Sequence, residues 1–176
     1  MINARAETVA TKPAYRSAYK ARRCIIPAIG FYEWKRNVTP KIPHYIHKRD
    51  DSPMGFAGLW ETWKGQDQTI ESCTIITTTF NDVMAQLHDR MPVILDPEHF
   101  NWWITGAIDE VGQLVVPCPP EELDIYSVSA SEQRAKRRAG AIASGRVTTV
   151  ATGLEASQHQ RLRQVSVKVH DKGKQG

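Results

Sequence analysis

Two apolar, β-branched runs facing each other across a short turn constrain this chain more than any other feature. The first is Gly55-Phe56-Ala57-Gly58-Leu59-Trp60-Glu61-Thr62-Trp63 and the second is Ser72 to Thr79, with Thr74-Ile75-Ile76-Thr77-Thr78-Thr79 at its centre. Branched and aromatic side chains suit a pleated surface, and Gly65-Gln66-Asp67 between the runs reads as a hairpin tip. Upstream, Ile29 to Lys35 and His44 to His47 read as strands parted by a Pro-marked turn around Thr39 to Pro43, and Arg49-Asp50-Asp51-Ser52-Pro53 turns the chain into Gly55. Strands joined this closely pair antiparallel, because a parallel crossover needs a dozen or more residues. The expected fold is α+β: a mostly antiparallel β-sheet or open barrel with a few short flanking helices.

Helix signals are sparse. Thr11 before Lys12-Pro13 predicts a helix to about Arg23, with Thr11 as N-cap, Tyr15, Ala18, Tyr19 and Arg22 at helical spacing, and Arg16, Lys20 and Arg23 presenting positive charge. Asn81 caps a second short helix through Leu87, which delivers His88-Asp89-Arg90-Met91-Pro92 and then a strand, Val93-Ile94-Leu95. Asp96-Pro97-Glu98 begins a third helix through Trp102-Trp103-Ile104, ended by Gly106, and Leu123 to Val128 is the last clear strand. Ahead of all this, Asn3-Ala4-Arg5-Ala6-Glu7-Thr8 is a polar start with no lead-in element. Beyond Ser129 neither period is sustained. Residues 1–130 are therefore expected to form one domain, and residues 131–176 a basic, mostly disordered tail.

Charge sharpens that division. The 176 residues carry a net +4, but residues 1–49 hold eleven Lys/Arg against Glu7 and Glu33, and residues 131–176 hold ten against three acids. The middle, 50–130, is correspondingly acidic. Clustered cations suit a polyanion such as nucleic acid, and they suit a solvated face equally well. The sequence has no 18-residue apolar run and no apolar stretch near its start, so a membrane span and a secretory leader are not expected and a cytoplasmic, monomeric protein is. Cys24, Cys73 and Cys118 form no CxxC pair and have no histidine at ligand spacing, so neither a metal nor a cofactor is expected.

Within this frame Gly30-Phe31-Tyr32-Glu33-Trp34-Lys35 sets one carboxylate between aromatic rings. In a strand, Phe31 and Glu33 share one face and Tyr32 and Trp34 the other. A ring beside an acid shields it from water, which raises a carboxyl pKa and suits it to proton transfer. An edge-strand Glu paired with Lys35 or Arg36 is the alternative. Asn3 and His88 have structural alternatives as well: a turn Asn, and a capping or core-satisfied His.

Taken together, Asn3 in NARAET, Glu33 in GFYEWK and His88 in LHDRMPVIL, with Lys12-Pro13, Cys24-Ile25-Ile26-Pro27 and Leu123-Asp124-Ile125-Tyr126, occur in an order that resembles the SRAP family of SOS-response-associated peptidases. That family includes sensors of abasic sites in DNA, and the resemblance runs from about Ile2 to Val128. It implies attack on the ring-opened aldehyde of an abasic site in single-stranded DNA by an N-terminal cysteine, whose amine and thiol close a stable thiazolidine, with linked autoproteolytic and lyase chemistry. It further implies proton transfer at the amine for Glu33, assistance to sugar ring opening and crosslink reversal for His88, and orientation of the linked sugar for Asn3. Arg5 and Arg90 match the family's phosphate-binding arginines. Trp34 could stack on a base beside the lesion or simply pack in the sheet.

The departure from the family lies at the ends. Family members begin Met-Cys-Gly-Arg and carry strands ahead of the NARAE motif, which here starts at residue 3, and the family's stretch after the LDIYxVS strand is replaced by the basic segment. Cys24 lies inside the chain and has no α-amine, so the expectation is a truncated SRAP protein that does not form the crosslink. The competing expectations are a non-catalytic single-strand-binding remnant and an unstable product of a truncated gene.

Overall fold

The structure is a computed structural model that describes residues 3–36, 39–66, 68–129 and 142–143. Along the chain run β1 (Asn3–Arg5), α1 (Ala6–Val9), α2 (Arg16–Ala21), β2 (Arg23–Ala28), β3 (Phe31–Trp34), β4 (Pro43–Lys48), β5 (Met54–Lys64), β6 (Thr69–Thr79), β7 (Arg90–Pro92), β8 (Ile94–Leu95), α3 (Phe100–Thr105), β9 (Leu123–Ser127) and β10 (Ile142–Ala143). Short 3₁₀ turns at Met84–Gln86, Pro97–His99, Val111–Leu114 and Pro120–Glu122 link them. The α+β class and the mainly antiparallel pairing are as expected.

One sheet is built on the β5–β6 hairpin, with Gly58 opposite Ile75 and Lys64 opposite Thr69. β2 pairs with β5 on its outer side, and β1 lies parallel to β6. Pro27 fits within β2 because that strand is an edge, where no ladder donor is missed. Where β5 and β6 splay apart, the segment Arg90 to Leu95 wedges between them. β7 pairs with β6, β8 pairs with β5, and Val93 ties both by accepting from Ala57 N–H and donating to Ile76 O, each at 2.9 Å. A second sheet runs in the order β10-β3-β4-β9.

The two sheets face each other across a core of Ile26, Phe31, Ile46, Met54, Phe56, Ile75, Met84, Leu87, Met91 and Leu123. On the outer face of the larger sheet, α1, α2, α3 and the 3₁₀ turn Val111–Leu114 bury Val9, Tyr19, Trp103 and Val111 against Ala57, Leu59, Ile76 and Val93. Tyr32, Tyr45 and Val128 cover the outer face of the smaller sheet.

Three expectations need correction. The helix expected from Thr11 begins only at Arg16. Thr11 Oγ1 donates back to Thr8 O at 3.4 Å, closing the turn after α1 instead of capping α2. Arg23 is buried in β2 and is not a surface cation. Its guanidinium donates to the carbonyls of Trp103 (2.5 Å), Tyr19 (2.8 Å) and Gly106 (2.6 Å), so it caps the C-terminal ends of α2 and α3 together. Burial pushes this guanidinium down from its ordinary pKa. Finally, the short helix expected from Asn81 to Leu87 is a single 3₁₀ turn at Met84–Gln86. The polar start, Asn3–Arg5, forms the parallel strand beside Ile75–Thr77. Of the expected tail, only Ile142–Ala143 is described, in parallel register with Phe31–Tyr32. The rest of 131–176 lies outside the described residues.

Candidate active site

Glu33 sits near the end of β3, opposite His44 of β4, and is only 7% exposed. The alternation expected for this strand is present. Phe31 enters the inter-sheet core and meets Phe56 edge-on at 5.8 Å, while Tyr32 points the other way and packs on Tyr45 at 5.2 Å. Glu33 follows Phe31 on the inner face, at the end of the core. The close turn before β3 depends on Gly30, where a Cβ would lie 2.5 Å from the Tyr45 ring. The Tyr45 hydroxyl donates to Ile29 O at 2.8 Å across the same turn.

His88 arrives from the opposite side. Asn81 Oδ1 accepts from Met84 N–H at 3.1 Å and its amide donates to Cys118 O at 2.9 Å, which anchors the turn; His88 N–H then closes on Met84 O at 3.0 Å. Leu87 is buried in the inter-sheet core, so the next side chain is carried to the rim near the end of β3, where Glu33 stands. The two residues, 55 positions apart in the chain, line one cavity of about 350 Å³ together with Trp34, Arg36 and Lys41.

The imidazole's partners define its tautomer. Arg36 Nη2 lies 3.0 Å from Nε2 and 2.8 Å from Asp89 Oδ1. A guanidinium only donates, so Nε2 must offer its lone pair. The proton is then on Nδ1, within 3.2 Å of Arg90 O and of Asp89 Oδ1. The other tautomer would let Nδ1 accept from Arg90 N–H at 3.1 Å, but it would set Nε2–H against an arginine donor. Each arrangement opposes one pair of donors, but the second also sets a bare Nδ1 lone pair against Arg90 O and Asp89 Oδ1, so the first is favoured. Arg36, offered from the sequence as a partner for Glu33, turns instead to His88 and Asp89.

Arg90 does not stand free. Its guanidinium forks onto Glu7 with two bonds of 3.1 Å, and it also donates to Thr77 Oγ1 at 3.2 Å and to Thr77 O. Arg90 holds the Glu7 carboxyl below its ordinary pKa, with burial opposing. Thr77 Oγ1 passes the contact on by donating to Ala4 O at 3.3 Å, so α1, β1, β6 and β7 meet here. Asn3 and Arg5 are exposed on β1, flanking buried Ala4, and neither is among the described residues lining the cavity. Trp34 packs against the Tyr32–Tyr45 cluster, as one of its two readings had it, and it also lines the cavity. Arg36, Lys41 and Asp89 were not singled out from the sequence as site residues. They lie in loops, and only the basic run Lys35-Arg36 and the DR pair in HDRMP hinted at them.

A family model for the SOS response associated peptidases, SRAP, matches residues 1–133. This chain belongs to the SRAP family. The abasic site processing protein YoaM of Bacillus subtilis is 44% identical to it over 135 residues, covering 74% of this chain and 60% of YoaM. HMCES of Xenopus tropicalis, also an abasic site processing protein, is 32% identical over 149 residues, covering 72% of this chain and 44% of HMCES. A crystal structure of a protein from Bacteroides thetaiotaomicron superposes with a TM-score of 0.70 at 32% identity, covering 75% of this chain and 60% of that one. This SRAP chain thus spans about 60% of the length of the Bacillus relative it matches. Among the described residues no helix is long and apolar enough to cross a membrane.

Proposed function

We propose that this chain processes abasic sites in single-stranded DNA, with the cavity between Glu33 and His88 receiving the ring-opened sugar. The observation that carries this reading is the convergence of a buried carboxylate and an imidazole of defined tautomer on one cavity ringed by the cations Arg36 and Lys41. Glu33 is suited to proton transfer at an attacking amine, and His88 to the proton exchange of sugar ring opening. Trp34 offers its face to a base beside the lesion. Asn3 orients the sugar, and Arg5 and Arg90 hold the flanking phosphates. For Arg90, phosphate binding means exchanging the Glu7 carboxylate for another anion.

In a polypeptide of these 176 residues the cysteines stand at 24, 73 and 118. Burial pushes the thiols of Cys24 and Cys118 up to about 12 and raises that of Cys73, so none is a ready thiolate and none carries an α-amine. A thiazolidine needs an α-amine and a thiol on one residue, so Cys24, Cys73 and Cys118 close none. Fluorescence anisotropy with a strand carrying one tetrahydrofuran abasic analogue tests the binding. We expect preference over the intact strand, loss of that preference in H88A and W34A, and weakening between about 50 and about 200 mM salt. Equal affinity for lesion-bearing and intact strands would refute the reading. A heat-stable adduct formed with a true abasic site and no reductant, and mapped to Cys24, Cys73 or Cys118, would refute that exclusion.

A further inference from the structure

If the cavity seats an abasic aldehyde, some group must attack it, and the choice of that group rests on the proposed function. Among the described residues lining the cavity, one carries a primary amine: Lys41. Its root is fixed close to the site. Lys35 N–H donates to Ile42 O at 3.2 Å, and Trp34 stands opposite Pro43, so the loop that bears Lys41 closes directly over the end of β3. The backbone of Lys41 is thus one residue from an anchored hydrogen bond, while its side chain is exposed. Glu33 and His88 supply a carboxyl and an imidazole to the same space. An amine, a carboxyl and an imidazole around one cavity are what imine chemistry needs.

We propose that Lys41 is an amine nucleophile of this cavity and forms a Schiff base with aldehydes, the ring-opened abasic site being the substrate class. The unprotonated Nζ donates its lone pair to the aldehyde carbon, and the carbonyl π pair moves to oxygen, which takes a proton. The first proton on oxygen is one of the two Nζ protons, and the carbinolamine then loses that oxygen as water, protonated by His88 or Glu33, while nitrogen forms the C=N bond and returns its second proton to the same group. Amine and aldehyde enter, and imine and one water leave, with no oxidant or reductant. Arg36 holds the Nε2 lone pair of His88, so anionic DNA that draws Arg36 away frees that nitrogen for the exchange.

The test is borohydride trapping of the full 176-residue chain on an oligonucleotide with one true abasic site. A band that survives denaturation only when borohydride is present is expected from the wild type. K41A and K41R should fall to the level seen with intact DNA, with thermal unfolding unchanged. Tandem mass spectrometry should locate the reduced adduct on Lys41. Trapping undiminished in K41A, or an adduct on the Met1 α-amine or another lysine, overturns the proposal. So does the absence of trapping in a wild type that still prefers the tetrahydrofuran strand. Loss of that preference itself would count against the reading of the cavity instead.

Discussion

Replacing Arg23 by Met is the sharpest test of how the scaffold behind the site is held. Arg23 is 9% exposed and its five nearest polar contacts are all backbone carbonyls: Trp103, Tyr19 and Gly106 at 2.5, 2.8 and 2.6 Å, and Lys20 and Ile104 at 3.4 Å. Met keeps the apolar stem against Trp103 and removes the donors. A hydrogen bond from a charged donor contributes about 1.5 to 3 kcal/mol, so the three short bonds alone would give roughly 4 to 9. The cost of burying the guanidinium is recovered in the variant, and this offsets part of the loss. Breaking one side of a buried charged network leaves a net of about 3 to 5 kcal/mol. At roughly 2 to 4 °C per kcal/mol for a chain of this size, R23M should melt about 6 to 20 °C lower by circular dichroism. Its urea midpoint should fall without a change in slope. R23K, whose ammonium has three donors and no fork, should lie between the two. A melting point for R23M within about 2 °C of the wild type would sink the idea that this side chain joins α2 to α3.

Other perturbations report on the site. In R36A the donor opposite Nε2 of His88 is gone, so ¹⁵N spectra of the ring should show a mixture of tautomers where the wild type shows the Nδ1–H form; R36K should restore part of the preference. Unchanged ring shifts in R36A would contradict the tautomer assignment. Arg90 lowers the folded pKa of Glu7, so the contribution of this pair is present above the ordinary Glu value and is lost as pH falls through the folded one. The Glu7 side chain is 49% exposed, which limits the effect to at most about 1 kcal/mol, and E7Q should melt slightly below the wild type at about pH 7 and converge with it at about pH 3. In G30A the new Cβ meets the Tyr45 ring at 2.5 Å and Ile46 O at 2.6 Å, which should cost about 1 to 3 kcal/mol and speed amide exchange in Phe31–Trp34. Exchange that stays at the wild-type rate would show that the turn yields without disturbing β3.

The parts of the fold that could be read from the chain are those in which each residue repeats its neighbour's message. β5 and β6 run for 11 residues each, rich in branched and aromatic side chains, so hairpin and register both follow from one pattern. β1 has three residues and no period to read, and its pairing with β6 is parallel, which no local turn announces. Arg22 and Arg23 are chemically alike and adjacent. One reaches Glu61 at 2.6 Å on the surface and the other is buried under α3, a difference decided by residues 80 positions away that no window around position 23 contains.

The same division runs through the site. Glu33 was legible because its place in the pleat follows from Phe31 and Tyr32, and His88 because it stands in a motif matched by the family. Arg36, Lys41 and Asp89 were not, because each lies where regular structure stops and its direction depends on how two sheet ends meet. Arg36 leaves β3, Lys41 precedes β4, and Asp89 precedes the wedge at β7; only the packing of the smaller sheet on the larger one brings Arg36 to within 2.8 Å of Asp89. Pleat periodicity specifies side chains along a strand, whereas the groups that set the proton on His88 and supply an amine are specified by strand ends. The chemistry of this cavity therefore depends on the loop between β3 and β4 as much as on the GFYEW strand itself. Substitutions confined to Arg36 and Lys41 should change reactivity while leaving the burial of Glu33, and the stability that goes with it, as they are.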